Sequence, residues 1–541
     1  MLLRDELRIS KPLAAMLLVG TALLLLMGCA VADISDIGTT PSNTPSSAPS
    51  SVASTQPPTL TSTGLIVPES VAEAMAANAT PFTLRQPGMN VIDVNLADAA
   101  DLVHGVHDDG TVVTITQPGD YRLYGSLQGQ VVVSCKDGLF NLILDGVTII
   151  SDTPGALLVT SGDEVVLHLA DNSSNSIQDG LGDAPLDADA PNAAIHSVAN
   201  LGITGTGALN VTGAIDGIAS TDGLLIADGQ LKVSAGDDAL RGKDYLVVAG
   251  GTLTLDAAGD AMKSTHDSDA TRGYVWISGS QIIAQAGTDC VDAMSDVLVS
   301  GGQATLACGD DGLHGEVLVL VDDGVLNITR SYEGLEAPVV VVAGGVINIV
   351  SSDDALNAAG GDGSDAPDVP GVGAPANRPG GSGRPGGTGG GPGGSSEDPT
   401  KYMLLISGGT LTVDAGGDGL DSNGYMTISG GDTTVYGPTN QGNGALDSSG
   451  LTLTGGKLFA VGESGMAEGP TQATQAWIGV IFDAAAASTI TITDTTDAAL
   501  TWSFTIPKSS QCLVFSNPQL LSGRSYSITV NAALIGEVTA F

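Results

Sequence analysis

Apolar and polar residues alternate along most of the chain, and the alternation restarts at a nearly constant interval. In each interval an acidic residue follows two apolar residues that stand seven and five positions earlier. A third apolar residue stands two positions after the acid; around Asp238 the three are Leu231, Val233 and Leu240. Apolar residues two apart, separated by Thr, Ser and Asn, are typical of strands with one buried face. The repeated acids are Asp216, Asp238, Asp260, Asp289, Asp311, Glu333, Asp354 and Asp418.

The spacing of these acids indicates a solenoid. Successive steps are 22, 22, 29, 22, 22 and 21 residues, and then 64. A unit of this length buries its apolar edge only by stacking on its neighbours. Paired glycines such as Gly250-Gly251 interrupt the strands where the chain must turn. We therefore predict an all-β fold, a parallel β-helix of about 22 residues per coil, right-handed because parallel β connections are. A leucine-rich repeat is the main alternative, but its helical or Asn-ladder segment is missing.

Composition divides the chain into four parts. Residues 30–80 are rich in Ser, Thr and Pro and predict an extended, disordered tether. The β-helix is predicted over residues 81–466, with a Gly/Pro-rich insertion at 360–399 that accounts for the step of 64. Residues 467–541 have a different rhythm and predict a β-rich C-terminal cap.

Residues 1–29 predict a secretion signal. Basic residues, Arg4, Arg8 and Lys11, precede an apolar run that is too short for a comfortable membrane span. The run ends in Leu26-Met-Gly-Cys29, which resembles the lipobox of bacterial lipoproteins. The resemblance implies lipidation of Cys29 and a place on the cell surface, outside the bacterial membrane. An ordinary secretory signal cut nearby is the alternative.

Charge limits the partners. The chain has 60 acidic and 18 basic residues, for a net charge of −42. Such a chain does not bind nucleic acid through charge and repels anionic surfaces unless cations intervene. We expect a monomer that meets the membrane only through its lipid anchor.

The row of acids is the first candidate site. Equivalent residues on stacked coils lie about 4.8 Å apart, where two carboxylates repel by roughly 3–4 kcal/mol at an effective dielectric of 20. Second acids, such as Asp237 and Glu336, stand beside the row. Clustered oxygens suit Ca²⁺; the alternative is that these are turn residues capping backbone amides. The predicted calcium ligands are Asp216, Asp237, Asp238, Asp260, Asp289, Asp292, Asp310, Asp311, Asp353, Asp354, Asp418 and Asp421.

Aromatic residues form the second candidate site. They make up only 4% of the chain, and sugar rings stack on exposed aromatic faces. Strand parity points Tyr274 and Trp276 outward, and Tyr245 has the same coil position as Tyr274. A covered position beneath a loop or the insertion is the alternative. The neighbouring outward row is also apolar and must be covered by the insertion, the terminal segment, or a ligand or partner. It consists of Val247, Leu298, Leu320, Val341 and Leu405.

The cysteines show no zinc spacing. Apart from Cys29 they are Cys135, Cys290, Cys308 and Cys512. Because Cys290 and Cys308 fall at different points of their coils, buried free thiols are favoured, although an extracellular compartment permits disulfides.

Several phrases together resemble a known family. They are Asn192-Ala-Ala-Ile-His-Ser197, Asp216-Gly-Ile, Gly236-Asp-Asp-Ala-Leu-Arg-Gly-Lys-Asp244, Gly417-Asp-Gly-Leu-Asp-Ser-Asn-Gly424 and Gly444-Ala-Leu-Asp447. From about residue 90 to the C-terminus the chain is similar to secreted carbohydrate-binding β-helix proteins, which are related in fold and calcium sites to family-nine polysaccharide lyases. The resemblance implies calcium binding and attachment to plant-wall polysaccharide, cellulose or pectin-like, without demonstrated cleavage.

Three functions remain open. The first is a calcium-loaded, non-catalytic surface protein that binds acidic or cellulosic polysaccharide. The second is a polysaccharide lyase, in which calcium neutralises a uronate and Lys263 or Arg241 abstracts the adjacent proton. Charge compensation within the acid row is the favoured alternative for these two cations. The third is a structural surface adhesin.

Overall fold

The computed structural model describes residues 59–60, 65–98, 105–182, 191–360 and 398–541, which belong to one compact unit, Pro57–Phe541. Several predicted segments lie outside the described residues: the predicted secretion signal with Cys29, residues 30–58 of the predicted tether, and nearly all of the predicted insertion. Within the described residues, no helix is both long and apolar enough to cross a bilayer.

The described chain is a solenoid of parallel strands, and the all-β prediction is confirmed. Strands from successive coils pair in three ladders. The first ladder includes the short strands that follow the repeated acids. Its strands are Val112–Ile115, Gln130–Ser134, Leu157–Ser161, Ala193–Ser197, Asp216–Ser220, Leu240–Gly242, Met262–Ser264, Val291–Ala293, Leu313–Gly315, Leu335–Glu336, Leu356–Ala358, and the first parts of Leu420–Ile428 and Leu446–Leu453.

The second and third ladders form the other sides of the coils. The second contains Val91–Asn95, Gly119–Gln128, Leu139–Ile150, Glu164–Leu169, Asn200–Gly205, Gly223–Ile226, Tyr245–Val248, Tyr274–Ile277, Asp296–Ala307, Leu318–Ser331, Val339–Val342, Met403–Ile406, the second parts of Leu420–Ile428 and Leu446–Leu453 and, at the end, Gln472–Ala473. Four of these strands continue round a corner into the third ladder, namely Gly119–Gln128, Leu139–Ile150, Asp296–Ala307 and Leu318–Ser331. The third ladder also contains Ser174–Gln178, Ala208–Gly213, Gln230–Ala235, Thr252–Ala257, Gln281–Ala286, Val346–Ser351, Thr410–Ala415, Asp432–Tyr436 and Lys457–Gly462.

The strands pair so that equivalent apolar residues stack. Leu231 pairs with Leu209 on one side and with Leu253 on the other. These inward side chains are buried in a core cluster that runs through the coils. The Gly-Gly pairs occupy the corners as predicted: Gly251 has φ +88°, and a Cβ there would lie 2.6 Å from Gly229 O of the preceding coil. Only glycine fits that approach.

An antiparallel assembly follows the last coils. Lys457–Gly462 pairs with Ser510–Ser516, which pairs with Trp477–Ala484, both antiparallel. Thr501–Thr505, Thr489–Asp494, Ser525–Val530 and Ala533–Thr539 form a separate four-stranded antiparallel sheet in that order. These strands share a second apolar core with Phe459 and Val461 of the last coil. The open apolar end of the stack is thereby covered.

A segment that we call the N-terminal strap, residues 65–88, lies along the outer face of the second ladder. It contains the short helix Val71–Met75. Its strand Ile66–Val67 pairs antiparallel with Thr59–Leu60. Elsewhere in the described chain, the remaining short elements are the strand Val106–Asp108 and the 3₁₀ helix Pro399–Lys401. Val67 and Val71 are buried against the outward row that contains Leu298, Leu320 and Leu405. The assignment of residues 65–80 to a disordered tether was therefore wrong, because their apolar residues bury that row.

The prediction of free thiols at Cys290 and Cys308 was also wrong. The two residues form a disulfide, with Cα atoms 5.5 Å apart, a normal separation for such a bond. Cys290 directly follows the acid of its coil, and Cys308 precedes the acid pair of the next coil. Both lie inside the same corner, so their different coil positions do not separate them. Cys135 and Cys512 are free thiols.

Candidate functional site

The repeated acids lie at the corner between the third and first ladders. In six of them one carboxylate oxygen accepts the backbone N–H of the acid one coil further on; these are Asp216, Asp238, Asp260, Asp289, Asp311 and Asp354. The Oδ1 atoms of Asp238, Asp260 and Asp289 accept from Asp260, Asp289 and Asp311 at 3.0, 3.0 and 2.8 Å. Asp354 Oδ1 accepts from Asp418 N at 2.5 Å. The turn-capping alternative is thus realised, and it uses one oxygen of these carboxylates.

Steric crowding explains why a glycine precedes the acid in some coils. A Cβ at Gly417 would lie 2.2 Å from Asp353 Oδ1 and 2.4 Å from Asp354 Oδ1. Gly259 stands in the same relation to Asp237 and Asp238. The Gly-Asp phrase therefore leaves room for the carboxylates of the preceding coil.

A second row runs beside the acids on the first ladder, three positions after each acid from Asp238 to Asp418 and, in the last coil, three positions after Gly444. Neighbours along this row pair in register from coil to coil. In order the row reads Arg241, Lys263, Asp292, His314, Glu336, Asn357, Asp421 and Asp447. Arg241 and Lys263 lie at one end, His314 lies between Asp292 and Glu336, and two acids lie at the other end, so the site divides into sections.

In the first section the acids are paired with cations. Arg241 donates to Asp216, and its Nε lies 2.9 Å from Asp216 Oδ2. Lys263 contacts Asp260 and lies 2.8 Å from Asp292 Oδ2. Asp238 lacks so close a partner, its nearest cation atom being Arg241 Nε at 3.8 Å. Burial, and then the charge of Asp260, raise the pKa of Asp238 to about 7.

These ion pairs change the expected ligand set. Asp216, Asp237, Asp238 and Asp260 do not belong to any group of three converging ligands among the residues that the structure describes. Asp216 and Asp260 are neutralised by side-chain cations, and Asp237 is exposed. These four residues are not among the calcium ligands that we propose.

Lys263 does not have the lowered pKa that a general base needs. Burial alone would lower the pKa of Lys263, but the charges of Asp260 and Asp292 override burial and raise it.

Burial likewise opposes the charged forms of Asp292 and His314. Their mutual hydrogen bond, 3.2 Å from His314 Nδ1 to Asp292 Oδ1, overrides it. The pKa of Asp292 falls to about 2 and that of His314 rises to about 9. They therefore form an ion pair at neutral pH.

The middle section gathers acids without enough cations. Single oxygens of Asp311, Glu333 and Glu336 lie within 4.8 Å of one another, as do those of Asp289, Asp310 and Asp311. Burial, then the charge of Asp289 and a hydrogen bond with Glu336, raise the pKa of Asp311 to about 11. Burial, then the charge of Glu336, raise that of Glu333 to about 8. These carboxylates cannot all be ionised at neutral pH without an added cation.

Two buried atoms beside the middle section make no hydrogen bond with any described residue. They are His314 Nε2 and Asn357 Oδ1. Asn357 is 8% exposed and donates its amide to Glu333 Oε2 at 2.8 Å. Its carbonyl oxygen is therefore an unused acceptor next to Asp311, Glu333 and Glu336. A buried acceptor without a donor is costly, and Ca²⁺ accepts both carboxylate and amide oxygens. This donor set fits calcium.

The last section gathers Asp418, Asp421 and Asp447, whose converging oxygens also lie within 4.8 Å of one another. Burial, then neighbouring acid charges, raise the pKa of Asp421 to about 8. The predicted ligands Asp353 and Asp354 lie one coil before Asp418 and belong to no converging group of three among the described residues. Burial, then the charge of Asp418, raise the pKa of Asp354 to about 8. This section repeats the charge imbalance of the middle section.

Sequence reasoning named part of this site. It named Asp289, Asp292, Asp310, Asp311, Asp418 and Asp421, all of which the structure places in converging groups. It placed Glu333 in the acid row and Glu336 beside it but left both out of the predicted calcium ligands, and it did not name His314, Asn357 or Asp447 as site residues. The signal that could have found His314 and Asn357 is the same position that Asp292, Glu336 and Asp421 occupy, three residues after a repeated acid.

The aromatic residues do not form the exposed surface for sugar stacking that the sequence predicts. Tyr245 and Tyr274 point out of the coil and stack at 5.4 Å between centroids, but they are 6% and 0% exposed. The strap covers them: Tyr274 Oη donates to Ala79 O at 2.6 Å, and Phe82 N donates to Tyr245 Oη at 2.9 Å. Trp276 is half-buried and donates to Ser300 Oγ at 2.9 Å. The covered alternative is therefore correct for the two tyrosines.

Comparison with known proteins gives the family. Residues 109–362 match the family described as "Carbohydrate-binding domain-containing protein". A relative of that description from Acetivibrio thermocellus is 40% identical over 200 residues, which cover 36% of this chain and 70% of the relative. A solved structure, "Structure of the polysaccharide lyase-like protein from C. thermocellum, Gadolinium derivative", is 28% identical with a TM-score of 0.40, covering 42% of this chain and 95% of that one. The chain belongs to the family of carbohydrate-binding domain-containing proteins.

Proposed function

We propose that this chain is a calcium-loaded, non-catalytic protein that binds polysaccharide at the bacterial cell surface. The scaffold is a right-handed parallel β-helix of about 22 residues per coil, akin to that of the family-nine polysaccharide lyases. Lipidation of Cys29 anchors it outside the cell, and it acts as a monomer. The observation that carries the proposal is the buried group of Asp311, Glu333 and Glu336 beside the unpaired oxygen of Asn357.

Two sets of residues would hold calcium. The first is Asp311, Glu333 and Glu336 with Asn357 Oδ1, extended by Asp289 and Asp310. The second is Asp418, Asp421 and Asp447, with Asp353 and Asp354 adjacent. When bound, calcium supplies positive charge that buried carboxylates need and that an acidic sugar can share. The surrounding residues fix the carboxylates: backbone amides of the next coil hold Oδ1 of Asp289 and Asp311, and Asn357 orients Glu333.

The net charge of the chain determines which class of glycan should need calcium for binding. A protein of net charge −42 repels uronates in the absence of bound cations. Retention of a pectin-like glycan should therefore require calcium. Retention of cellulose, which is neutral, should not depend on that charge. Comparing the two glycans therefore separates the effect of charge repulsion from other contributions to binding.

The lyase alternative requires a base near the acid row. A general base works best with a pKa near the working pH, whereas the charges of Asp260 and Asp292 raise the pKa of Lys263 away from it. Arg241 is engaged by Asp216 and Asn192. Both cations are thus occupied in charge compensation, which supports binding without cleavage.

The test is retention of the full chain on polygalacturonate and on cellulose, with calcium or with a chelator. Glu336→Gln removes one charge from the middle section, and exposed Glu537→Gln in the cap is the matched control. We expect polygalacturonate retention that needs calcium, is weakened in Glu336→Gln and is unchanged in Glu537→Gln.

Two results would overturn the proposal. One is the absence of retention on either glycan with calcium present, which would favour the adhesin. The other is a steady rise in ultraviolet absorbance on polygalacturonate that disappears in Lys263→Ala, which would identify a lyase.

A further inference from the structure

A cavity of about 330 Å³ lies where the last coils meet the C-terminal antiparallel strands. Its volume is at the lower end of the range for ligand pockets, about 300–1,000 Å³. The residues around it are Asp432, Lys457, Leu458, Phe459, Trp502, Phe504, Phe515, Asn517 and Gln519. They come from the third ladder and from the cap, and they lie outside residues 109–362, which carry the family match.

Aromatic rings form one wall of this cavity. Trp502 and Phe504 lie two residues apart on Thr501–Thr505, the edge strand of the four-stranded sheet, so they share a face. Phe504 stacks on Phe459 at 4.0 Å between centroids, and Trp502 lies 5.4 Å from Phe515. These contacts hold the rings in place, yet both Trp502 and Phe504 remain partly exposed. A fixed, accessible indole face is what a pyranose ring needs for stacking.

Polar groups form the rim. Lys457 Nζ lies 2.6 Å from Asp432 Oδ2, and the two side chains are 55% and 48% exposed. Asn517 is buried, and its Oδ1 accepts from Gln519 N at 3.0 Å. The rim therefore offers a paired ammonium and carboxylate and two amides, all groups that hydrogen-bond sugar hydroxyls.

The charge of this rim differs from that of the acid row. The Asp432–Lys457 pair has no net charge, whereas the acid row is crowded with carboxylates. Asp432 disfavours an anionic sugar, and the rim lacks the converging acids that would hold a cation to bridge to one. The ligand suited to this cavity is a neutral pyranose.

We propose that this cavity is a second carbohydrate subsite, which binds a neutral pyranose unit by stacking on Trp502. It rests on the proposed function only in taking the ligand to be a polysaccharide. It does not need calcium, because none of the acids of the row lines it. The subsite therefore deepens the proposed function by giving the chain two binding sites of different charge preference.

The test uses the full chain and measures binding of cellohexaose and mannohexaose by calorimetry in the presence of a chelator, with hexagalacturonate as the acidic probe. Trp502→Ala removes the stacking face and Trp502→Phe keeps an aromatic ring. Ser503→Ala, on the opposite face of the same strand, is the matched control. Circular dichroism verifies that each variant is folded.

We expect at least one neutral hexasaccharide to bind without calcium. Its affinity should fall by about tenfold or more in Trp502→Ala, as truncation of a central Trp commonly does, with partial recovery in Trp502→Phe and none of the loss in Ser503→Ala. Calcium-dependent retention on polygalacturonate should be unchanged in Trp502→Ala.

The subsite is overturned if neither neutral hexasaccharide binds, or if a folded Trp502→Ala binds as well as the wild type. It is also overturned if binding requires calcium or if only hexagalacturonate binds. Because the readout is taken in chelator, failure of calcium-dependent binding at the acid row leaves this result standing, and the reverse holds too.

Discussion

Lys263 Nζ lies 2.8 Å from Asp292 Oδ2, one coil further on, while it also contacts Asp260 of its own coil. The lysine thus joins two acids across a coil boundary. Before it along the row, Arg241 compensates Asp216; after it, among the described residues, His314 is the cation that pairs with the row. Lys263 therefore marks where compensation by side chains gives way to the acid groups that we assign to calcium.

Replacement of Lys263 by Met should destabilise the protein strongly. Met retains the apolar stem but leaves Asp260 buried without a cation, and leaves Asp292 with His314 alone. Breaking a buried pair by removing one partner typically costs about 3–5 kcal/mol. Denaturant unfolding in chelator measures the loss, and exposed Lys243→Met is the control. An equal loss in both variants would contradict the assigned role.

His196 should make stability depend on pH. It is 9% exposed, its Nδ1 has no hydrogen-bond partner among the described residues, and burial, then the charge of Arg241, lower its pKa from 6.5 to about 4. Above pH 6.5 the imidazole is neutral in both states, whereas between 6.5 and 4 only the unfolded chain takes up the proton. Stability is therefore lost as the pH falls, by about 3 kcal/mol.

The measurement is the free energy of unfolding against pH for the wild type and for His196→Asn, both in chelator. The wild type should lose about 3 kcal/mol more than the variant across that interval. His107→Asn, at an exposed position, should follow the wild-type curve. Parallel curves for the wild type and His196→Asn would refute the prediction.

Removal of the Cys290–Cys308 disulfide should lower stability moderately. The bond closes a loop of 18 residues, for which the chain-entropy estimate is about 3 kcal/mol. The double variant Cys290→Ala/Cys308→Ala measures the effect, with the free thiol variant Cys135→Ala as control. If reductant destabilises the wild type no more than it does the double variant, the disulfide does not form in solution.

The strap can be tested with two substitutions in one helix. Ala74 is 5% exposed and packs against the second ladder, whereas Ala72 is exposed on the same turn. Ala74→Asp puts a charge into the apolar contact and should release the strap, with increased cleavage by protease within residues 65–88 and increased binding of an apolar dye. Ala72→Asp should show neither change. Equal behaviour of the two variants would mean that the strap is not held by this face.

The sequence predicted the repeating part of the molecule well and the unique contacts poorly. The stacking of Leu209, Leu231 and Leu253 follows from periodicity, because every coil repeats the same burial. The acids near Asp311 were found for the same reason. The cover over Tyr274 was not, because Ala79 lies 195 residues away in sequence and no repeat connects them. The disulfide was missed because a corner brings unequal coil positions together.

The path of the strap fixes the order in which the chain can fold. Val71 contacts Asp322, 251 residues later, and Phe82 contacts Tyr245, 163 residues later; Arg85 contacts Glu164 and Asp120. The strap thus runs back from late coils towards the first, crossing several of them. During synthesis it leaves the ribosome before any of these coils exist, so it docks after they have stacked. An array whose coils contact only their neighbours unfolds in local units. A segment that binds many coils at once joins them into one cooperative transition, and its docking is the step that completes folding.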